Sequence, residues 1–168
     1  MLQIPTLLIH ASLAVALAGV VLGQSAPEVP PNAPYGISIS PDNAKKVAAA
    51  AIAKAKENKW EMAIAIVDTG GHLVYFERMP DTQVGSVQVA IDKAQSAVLF
   101  RRPTKVFMDA LAAGGAGVRM LALTGAVPVE GGIPLVMDGK VVGAIGASGG
   151  TGEQDGMTAT AGAASMAK

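Results

Sequence analysis

The stretch GGIPLVMDGKVVGAIGASGGTGEQD, residues 131–155, decides the fold of this chain more than any other part of it. Two apolar and partly β-branched runs, residues 133–137 and 141–147, flank the dipeptide Asp138-Gly139. Asp-Gly between two such runs is typical of a tight turn whose central residues take left-handed backbone angles. The stretch therefore predicts a β-hairpin, and a hairpin implies an antiparallel sheet.

A glycine-rich turn follows the hairpin and leads into a helix that is predicted to begin near Thr151 and to run toward Lys168. Glycines let backbone amides converge at a helix N-terminus, which attracts anions such as carboxylates. The alternative is helix capping, in which first-turn acids satisfy these amides themselves. The candidate ligand-binding residues of this turn are Ser148, Gly149, Gly150, Glu153 and Asp155.

The same turn satisfies the pattern G-x-S-x-G at residues 146–150, which is typical of the nucleophile elbow of serine hydrolases. A nucleophilic serine needs a base, and hydrolases of that fold place the catalytic His after the Ser. No His follows Ser148 in the sequence. Residues 146–150 therefore indicate a tight strand-to-helix turn and not a hydrolase.

Upstream of the hairpin the pattern alternates between helices and paired strands. Ser40-Pro41-Asp42 predicts the start of a helix that ends near Asn58. Residues 62–67 and 72–77 predict two strands joined by the turn at 68–71. A second helix is expected from Ser86, a short third one from 103 to 115, and a short strand at 121–123. The fold class is therefore α/β of the α+β type, with helices packed on an antiparallel sheet.

Composition limits the range of functions. Of the 168 residues 51% are hydrophobic but only 4% are aromatic, so Ala and Gly supply much of a core built from closely approaching backbones. The formal net charge is zero, and no basic stripe could neutralise phosphates, so nucleic acid is not expected as a partner. The absence of Cys excludes disulfides, Cys-based zinc sites and thiol catalysis.

The first residues indicate export. An apolar run at 7–22 is followed by small residues, which predicts a signal peptide over residues 1–26 and a periplasmic or secreted protein. Because no Lys or Arg precedes the run, an uncleaved membrane anchor is the alternative. Residues 27–36 are rich in Pro and predict an extended linker. The remaining residues, 37–168, are expected to form one domain.

Several cations and one His are further candidates for ligand contacts. The only His beyond the predicted signal peptide is His72, at the start of a predicted strand, where an exposed polar residue is the commoner outcome. A lone His disfavours a structural zinc site, and no metal is expected. As a group, the cations could hold carboxylates, although capping or solvated roles are the alternative for each. These cations are Arg78, Lys93, Arg101 and Arg102, of which Lys93 is expected off the centre of its helix's buried face.

Three segments in this order resemble the GlcG/HbpS family: AIAIVDTGGHLVYFERM, AIDKAQSAVLFRRPTKVF and the opening stretch, within residues 62–155. The resemblance implies a profilin-like fold with a central antiparallel sheet flanked by helices, and homo-oligomers. It also implies haem as the cofactor, since some members bind haem and some are described as degrading it.

The site does not transfer cleanly from the family, because related domains are thought to use either a Thr or a His. Thr104, in the FRRPT segment, matches the family pattern and is the first candidate, with His72, Lys93, Arg101 and Arg102 beside it. The resemblance thus implies an exported protein that binds haem to store, sense or degrade it. The alternatives are an accessory enzyme or binding protein for a small carboxylate, and a structural oligomer with no ligand.

Overall fold

The computed structural model describes residues 29–30 and 32–166. The predicted signal peptide, residues 1–26, lies outside them. Within the described part, no helix is long and apolar enough to cross a membrane. In chain order the elements are α1 (Pro41–Glu57), β1 (Ala63–Val67), β2 (Leu73–Arg78), α2 (Ser86–Phe100), α3 (Lys105–Ala112), a 3₁₀ segment (Gly115–Ala122), β3 (Gly132–Met137), β4 (Lys140–Ser148) and α4 (Gly152–Ala164).

The strands form one four-stranded sheet in the order β2-β1-β4-β3, in which every neighbouring pair is antiparallel. The β3–β4 turn is the one predicted from Asp-Gly: Asp138 has φ 50° and Gly139 has φ 71°. Both angles are left-handed, as the tight hairpin turn requires. The α+β fold class with a central antiparallel sheet is therefore confirmed.

Helices cover both faces of the sheet, and the alternation of side chains along β1 separates the two layers. Ile64 and Ile66 pack with α1 and α4, whereas the intervening Ala63, Ala65 and Val67 pack with α2. The α2 side is built from small residues, so that helix and sheet lie unusually close. A methyl group added at Gly146 would collide with the backbone of α2 at Ala90. The Ala and Gly content of the sequence is thus used for close backbone approach, as predicted.

The predicted strand at 121–123 is wrong. The chain there forms the 3₁₀ segment Gly115–Ala122, and Leu121 and Leu123 are exposed and not paired with the sheet. Gly114 and Gly115, with φ of 69° and 53°, turn the chain out of α3. A short apolar run does not by itself distinguish a strand from another element, because it has too few residues to show whether its apolar positions repeat as in a strand or as in a helix.

The end of the predicted linker is packed on the domain. The carbonyl of Pro34 accepts a hydrogen bond from Val141 N at 2.9 Å, and Gly36 N donates to Val141 O at 2.8 Å. Arg101 Nη1 donates to Ala33 O at 2.9 Å, and its guanidinium lies over the Tyr35 ring. Residues 33–36 are therefore held on the domain by hydrogen bonds to β4 and to the end of α2.

Candidate functional site

A cleft of about 220 Å³ opens between the start of α3, the start of β3 and the first turns of α4. Glycine backbone and apolar side chains form most of its wall, and four polar side chains lie among them. The lining residues are Pro103, Val106 and Ile133, then Gly131, Gly132 and Gly156, then Lys105, Asp109, Glu130 and Thr160. Such a surface accepts an apolar ligand that also carries a polar or charged group.

Thr104 supports the wall of this cleft from behind. It is fully buried, and its Oγ1 accepts a hydrogen bond from Gly132 N at 2.9 Å. Thr104 N in turn donates to Gly132 O at 2.9 Å, so the residue ties the start of α3 to the start of β3. In this arrangement the Thr104 hydroxyl, the first candidate from the family resemblance, faces the protein interior.

Lys93 and Asp155 form a buried ion pair directly behind Gly131. Lys93 Nζ lies 2.7 Å from Asp155 Oδ2 and donates a second hydrogen bond to Ala147 O at 3.1 Å. Burial raises the pKa of Asp155, while the Lys93 ammonium and the Gly150 amide oppose the rise. The expectation that Lys93 lies off the centre of the buried face of α2 is wrong, since the buried residues of that helix include Lys93, Ala94 and Ala97. Lys93 is therefore engaged within the protein.

The glycine-rich turn before α4 is satisfied by the protein's own side chains. Asp155 Oδ1 accepts from Gly150 N at 3.0 Å, and Thr151 and Gln154 form a reciprocal capping box. Asp155 therefore binds a backbone amide of the turn, as the capping alternative expects, while Glu153 is an exposed acid in the first turn of α4. A carboxylate ligand at this turn would compete with these bonds, which weakens the small-carboxylate hypothesis.

Ser148 has no base beside it. Its Oγ donates to Ser86 Oγ at 3.2 Å, and the Ser86 hydroxyl also accepts from Gln83 Nε2 at 2.9 Å. The only described His, His72, lies at the far end of the sheet. This hydrogen-bond arrangement agrees with the rejection of a serine hydrolase.

His72 and the cleft lie at opposite edges of the sheet. His72 precedes β2, one edge strand, while the cleft borders β3, the other edge strand. Two strands separate them: Leu73, next to His72, pairs with Val67 of β1, whereas Gly132 pairs with Gly146 of β4. The His72 side chain is 83% exposed and lies 3.3 Å from Asp68. The structure does not bring His72 together with Thr104.

The remaining predicted cations differ in how far other residues of the protein hold their side chains. Arg101 is bound to Ala33 and Tyr35, and Arg78 is exposed at the end of the edge strand β2. Arg102 is exposed, and its guanidinium lies 5.9 Å from the centre of the Phe107 ring on α3. Of these three cations, Arg102 alone lies next to Pro103 of the cleft wall with much of its side chain in solvent.

Glu130 and Lys105 are cleft residues that the sequence patterns did not single out. Burial raises the pKa of Glu130, the carboxylates of Asp109 and Glu153 add to the rise, and Lys105 and Lys93 oppose it. Lys105 Nζ lies 2.7 Å and 2.9 Å from the two oxygens of Asp109. Both residues adjoin quoted motifs, Glu130 before Gly131-Gly132 and Lys105 after Thr104, and this adjacency was the available signal.

A metal centre is not formed by the side chains in the described residues, where no three His, Cys, Asp or Glu groups converge. The polar groups of the cleft are one ammonium, two carboxylates and one hydroxyl. They can pair with a charged ligand or accept its protons, while the apolar wall holds its body.

Comparison with known proteins places these features in a family. The family described as "Haem degrading protein HbpS-like" matches residues 39–164. Protein GlcG of Escherichia coli strain K12 is 37% identical over 112 residues, which cover 67% of this chain and 82% of GlcG.

Two solved structures share the fold. Protein ORFY of Klebsiella pneumoniae superposes with a TM-score of 0.74 at 27% identity, covering 82% of this chain and 96% of ORFY. PduOC in complex with haem superposes with a TM-score of 0.69 at 28% identity, covering 77% of this chain and 95% of PduOC. The resemblance in the sequence is confirmed, and the chain belongs to the HbpS-like family.

Proposed function

We propose that this protein binds haem, and that the cleft between α3, β3 and α4 is where it does so. The observation that carries this proposal is an apolar cleft with charged groups at its rim, in a chain whose relative PduOC has been crystallised with haem. A haem has an apolar ring and two anionic propionates, so it needs a surface of this mixed character.

The residues that line the cleft fit one part of the haem ring. Pro103, Val106 and Ile133 offer apolar contact, and the backbone of Gly131 and Gly132 allows a flat group to approach closely. Ligand pockets usually measure roughly 300–1,000 Å³, more than the 220 Å³ available here. One chain would therefore cover part of the ring, and the rest would lie against solvent or a second copy.

The propionates would be held by cations at the rim. The exposed Arg102 lies beside Pro103, whereas Lys105 lines the cleft but is paired with Asp109, so a propionate would have to compete with that carboxylate for it. Arginine pairs with carboxylates through two parallel hydrogen bonds, and a lysine adds a point charge. Bound haem would supply redox and oxygen chemistry, and the residues of this chain would hold one part of the ring and one or both propionates.

The test is a titration of the protein with haemin, followed by the Soret band. Val106→Asp places a charge on the apolar wall and should weaken binding about tenfold or more, which corresponds to about 1.4 kcal/mol. Val84→Asp is the matched control, because Val84 is 77% exposed and does not line the cleft. No Soret shift on mixing wild type with haemin would overturn the proposal. An equal loss of haemin affinity in Val106→Asp and Val84→Asp would overturn the cleft as the binding site.

We propose further that the protein forms homo-oligomers through the surface around the 3₁₀ segment. Exposed large apolar side chains cluster there, and their contact with water is unfavourable unless a partner covers them. They are Leu99, Val118, Leu121, Leu123 and Val129. Light scattering after size exclusion should give a mass above one chain, and Leu121→Lys should lower it. A wild-type monomer at micromolar concentration would contradict this.

Export by residues 1–26 is also a proposal, supported by the apolar run and the small residues after it. Expression of the full chain in a bacterial host should give a periplasmic protein whose intact mass lacks this segment. A full-length mass in the membrane fraction would support the anchor instead. Storage and degradation are separated by following the Soret band of the complex with time in the presence of a reductant and oxygen.

A further inference from the structure

We propose that an alkali cation, Na⁺ or K⁺, binds beneath the loop at residues 79–85, with Glu61 and Thr82 among its ligands. The site is independent of haem, because neither residue lines the cleft. Two oxygen atoms carry the proposal, Glu61 Oε2 and Thr82 Oγ1. In the described part of the chain both are buried and neither has a hydrogen-bond partner.

The burial of these two oxygen atoms leaves a charge without compensation. Thr82 is only 6% exposed, and Glu61 is half-buried as a residue while its Oε2 is shielded from solvent. Among the described residues Glu61 takes part in none of the ion pairs, and Arg78, the cation nearest to it by strand register, is exposed. Buried charges in proteins are normally paired or bound to a metal ion, so a cation would satisfy Glu61 Oε2.

Three hydrogen bonds bring the segments of Glu61 and Thr82 together at Met79. Met79 N donates to Met62 O at 3.0 Å, and Met62 N donates to Met79 Sδ at 3.5 Å, so the residue after Glu61 is tied to the end of β2. Thr82 N donates to Met79 O at 3.2 Å, which folds the loop back onto the same residue. We therefore place both unpartnered oxygen atoms on one small ion.

Other oxygen atoms lie on the same side of the sheet. Side chains alternate along an extended chain, so Glu61 is placed on the side of Ala63, which packs with α2. Ser148 pairs with Ala63, and its Oγ lies 3.2 Å from Ser86 Oγ at the start of α2. An added methyl group at Gly149 would collide with Glu61 O, so the end of β4 lies directly against Glu61. Glu61 is therefore next to a layer of buried hydroxyl groups, and oxygen is the ligand that hard cations take.

The charge of these groups favours a monovalent ion. Glu61 supplies one negative charge, and the hydroxyl groups of Thr82, Ser86 and Ser148 are neutral. Zinc and calcium sites are built from several His, Cys, Asp or Glu groups, and no three of these converge in the described residues. An alkali cation needs no such centre, because one carboxylate balances its charge and neutral oxygen atoms replace its hydration shell.

The test compares thermal unfolding in NaCl, KCl and choline chloride at equal ionic strength, since choline is too large for a site of this kind. Wild type should melt about 2–4 °C higher in the sodium or the potassium salt, with a saturating increment, because an ion that binds only the folded state stabilises it. Glu61→Gln should abolish the increment, and in choline chloride it should melt no lower than wild type because the buried charge is gone. Glu57→Gln removes an exposed charge from α1 and is the control.

Thr82→Val gives an independent arm, because it removes one neutral ligand while it keeps the side-chain volume and the charge of Glu61. It should reduce the increment, and circular dichroism reports whether each variant is folded. Equal melting temperatures of wild type in the three salts would overturn the proposal and indicate that a water molecule partners these oxygen atoms. An increment retained in full by both Glu61→Gln and Thr82→Val would overturn it as well, since the ion would then bind elsewhere.

Discussion

Lys93 Nζ lies 2.7 Å from Asp155 Oδ2, although the two residues are 62 positions apart and both side chains are buried. The pair joins α2 to the first turn of α4. It also passes behind Gly131, where an added methyl group would lie 2.9 Å from Lys93 Nζ. The ion pair therefore supports the backbone of Gly131, which lines the cleft.

Lys93→Met should destabilise the fold by about 3–5 kcal/mol at neutral pH, because it leaves the Asp155 carboxylate buried without its partner. The loss should be smaller at acidic pH. Without Lys93, burial holds the folded-state pKa of Asp155 above its unfolded value, so the carboxyl binds a proton as the pH falls and stability returns. Urea unfolding at several pH values measures this. The double variant Lys93→Met/Asp155→Leu is the control and should recover much of the loss, and a pH-independent effect would contradict the explanation.

Thr104→Val should destabilise the protein by about 1–3 kcal/mol, since the buried Gly132 amide loses its acceptor while the side-chain volume stays nearly constant. Thr104→Ser keeps the hydroxyl and is the matched control. The haemin spectrum of Thr104→Val should equal that of wild type at saturation. A Soret band shifted in Thr104→Val but not in Thr104→Ser would instead indicate that the Thr104 hydroxyl contacts the haem iron.

Gly146→Ala should destabilise the fold by about 1–3 kcal/mol or more, because its methyl group meets the backbone of α2 at Ala90 and Ala94. Gly85→Ala is the control: nothing lies within 4 Å of an added Cβ there, and φ is −61°. Thermal unfolding of the two variants should differ clearly. Equal melting temperatures would show that α2 can move away from the sheet without cost.

Asp68→Ala should cost about 1 kcal/mol at pH 7, since Asp68 Oδ1 accepts hydrogen bonds from the amides of Gly70 and His72. Burial alone would raise the pKa of Asp68, but these amides and His72 outweigh it and the pKa is lowered. A lowered folded pKa means that this stability is present above the unfolded pKa and is lost as the pH falls through the folded one. Urea unfolding at pH 7 and in acid should therefore show a smaller difference in acid, and Asp68→Asn, which retains an acceptor, should lose less.

His72→Ala should leave the affinity and the Soret band of the haemin complex unchanged, because His72 precedes one edge strand and the cleft borders the other. The comparison with wild type is made by the same titration. A shift in the band would place the haem at the β1–β2 turn and would contradict the cleft as its site.

Much of the fold could be predicted from local signals. Ser40 caps α1, Asn58 ends it, Asp138-Gly139 forms the hairpin turn, and Thr151 begins α4. Each depends on the conformational preference of one or two residues, which the sequence states directly. The strand predicted at 121–123 does not form. Whether a short apolar run becomes a strand depends on a neighbouring strand to pair with, and none pairs with it here.

The site was predicted less well, because burial and pairing arise between distant segments. The sequence around Lys93 does not show that Asp155 will pair with it. The sequence around Glu130 does not show that its side chain will lie against Gly156. Thr104 was predicted as a haem-site residue from the family resemblance, but the direction of its hydroxyl depends on where Gly132 lies, which the sequence does not show.

The sequence by itself determined the family, the element types, the hairpin and the core of small residues, because these follow from motif order, side-chain period and turn chemistry. Only the tertiary structure decided which charges are paired inside the protein and which side chains line the cleft. The reason is that the free energy of a charged group depends on its distance from other charges and from water, and folding sets those distances between residues remote in sequence.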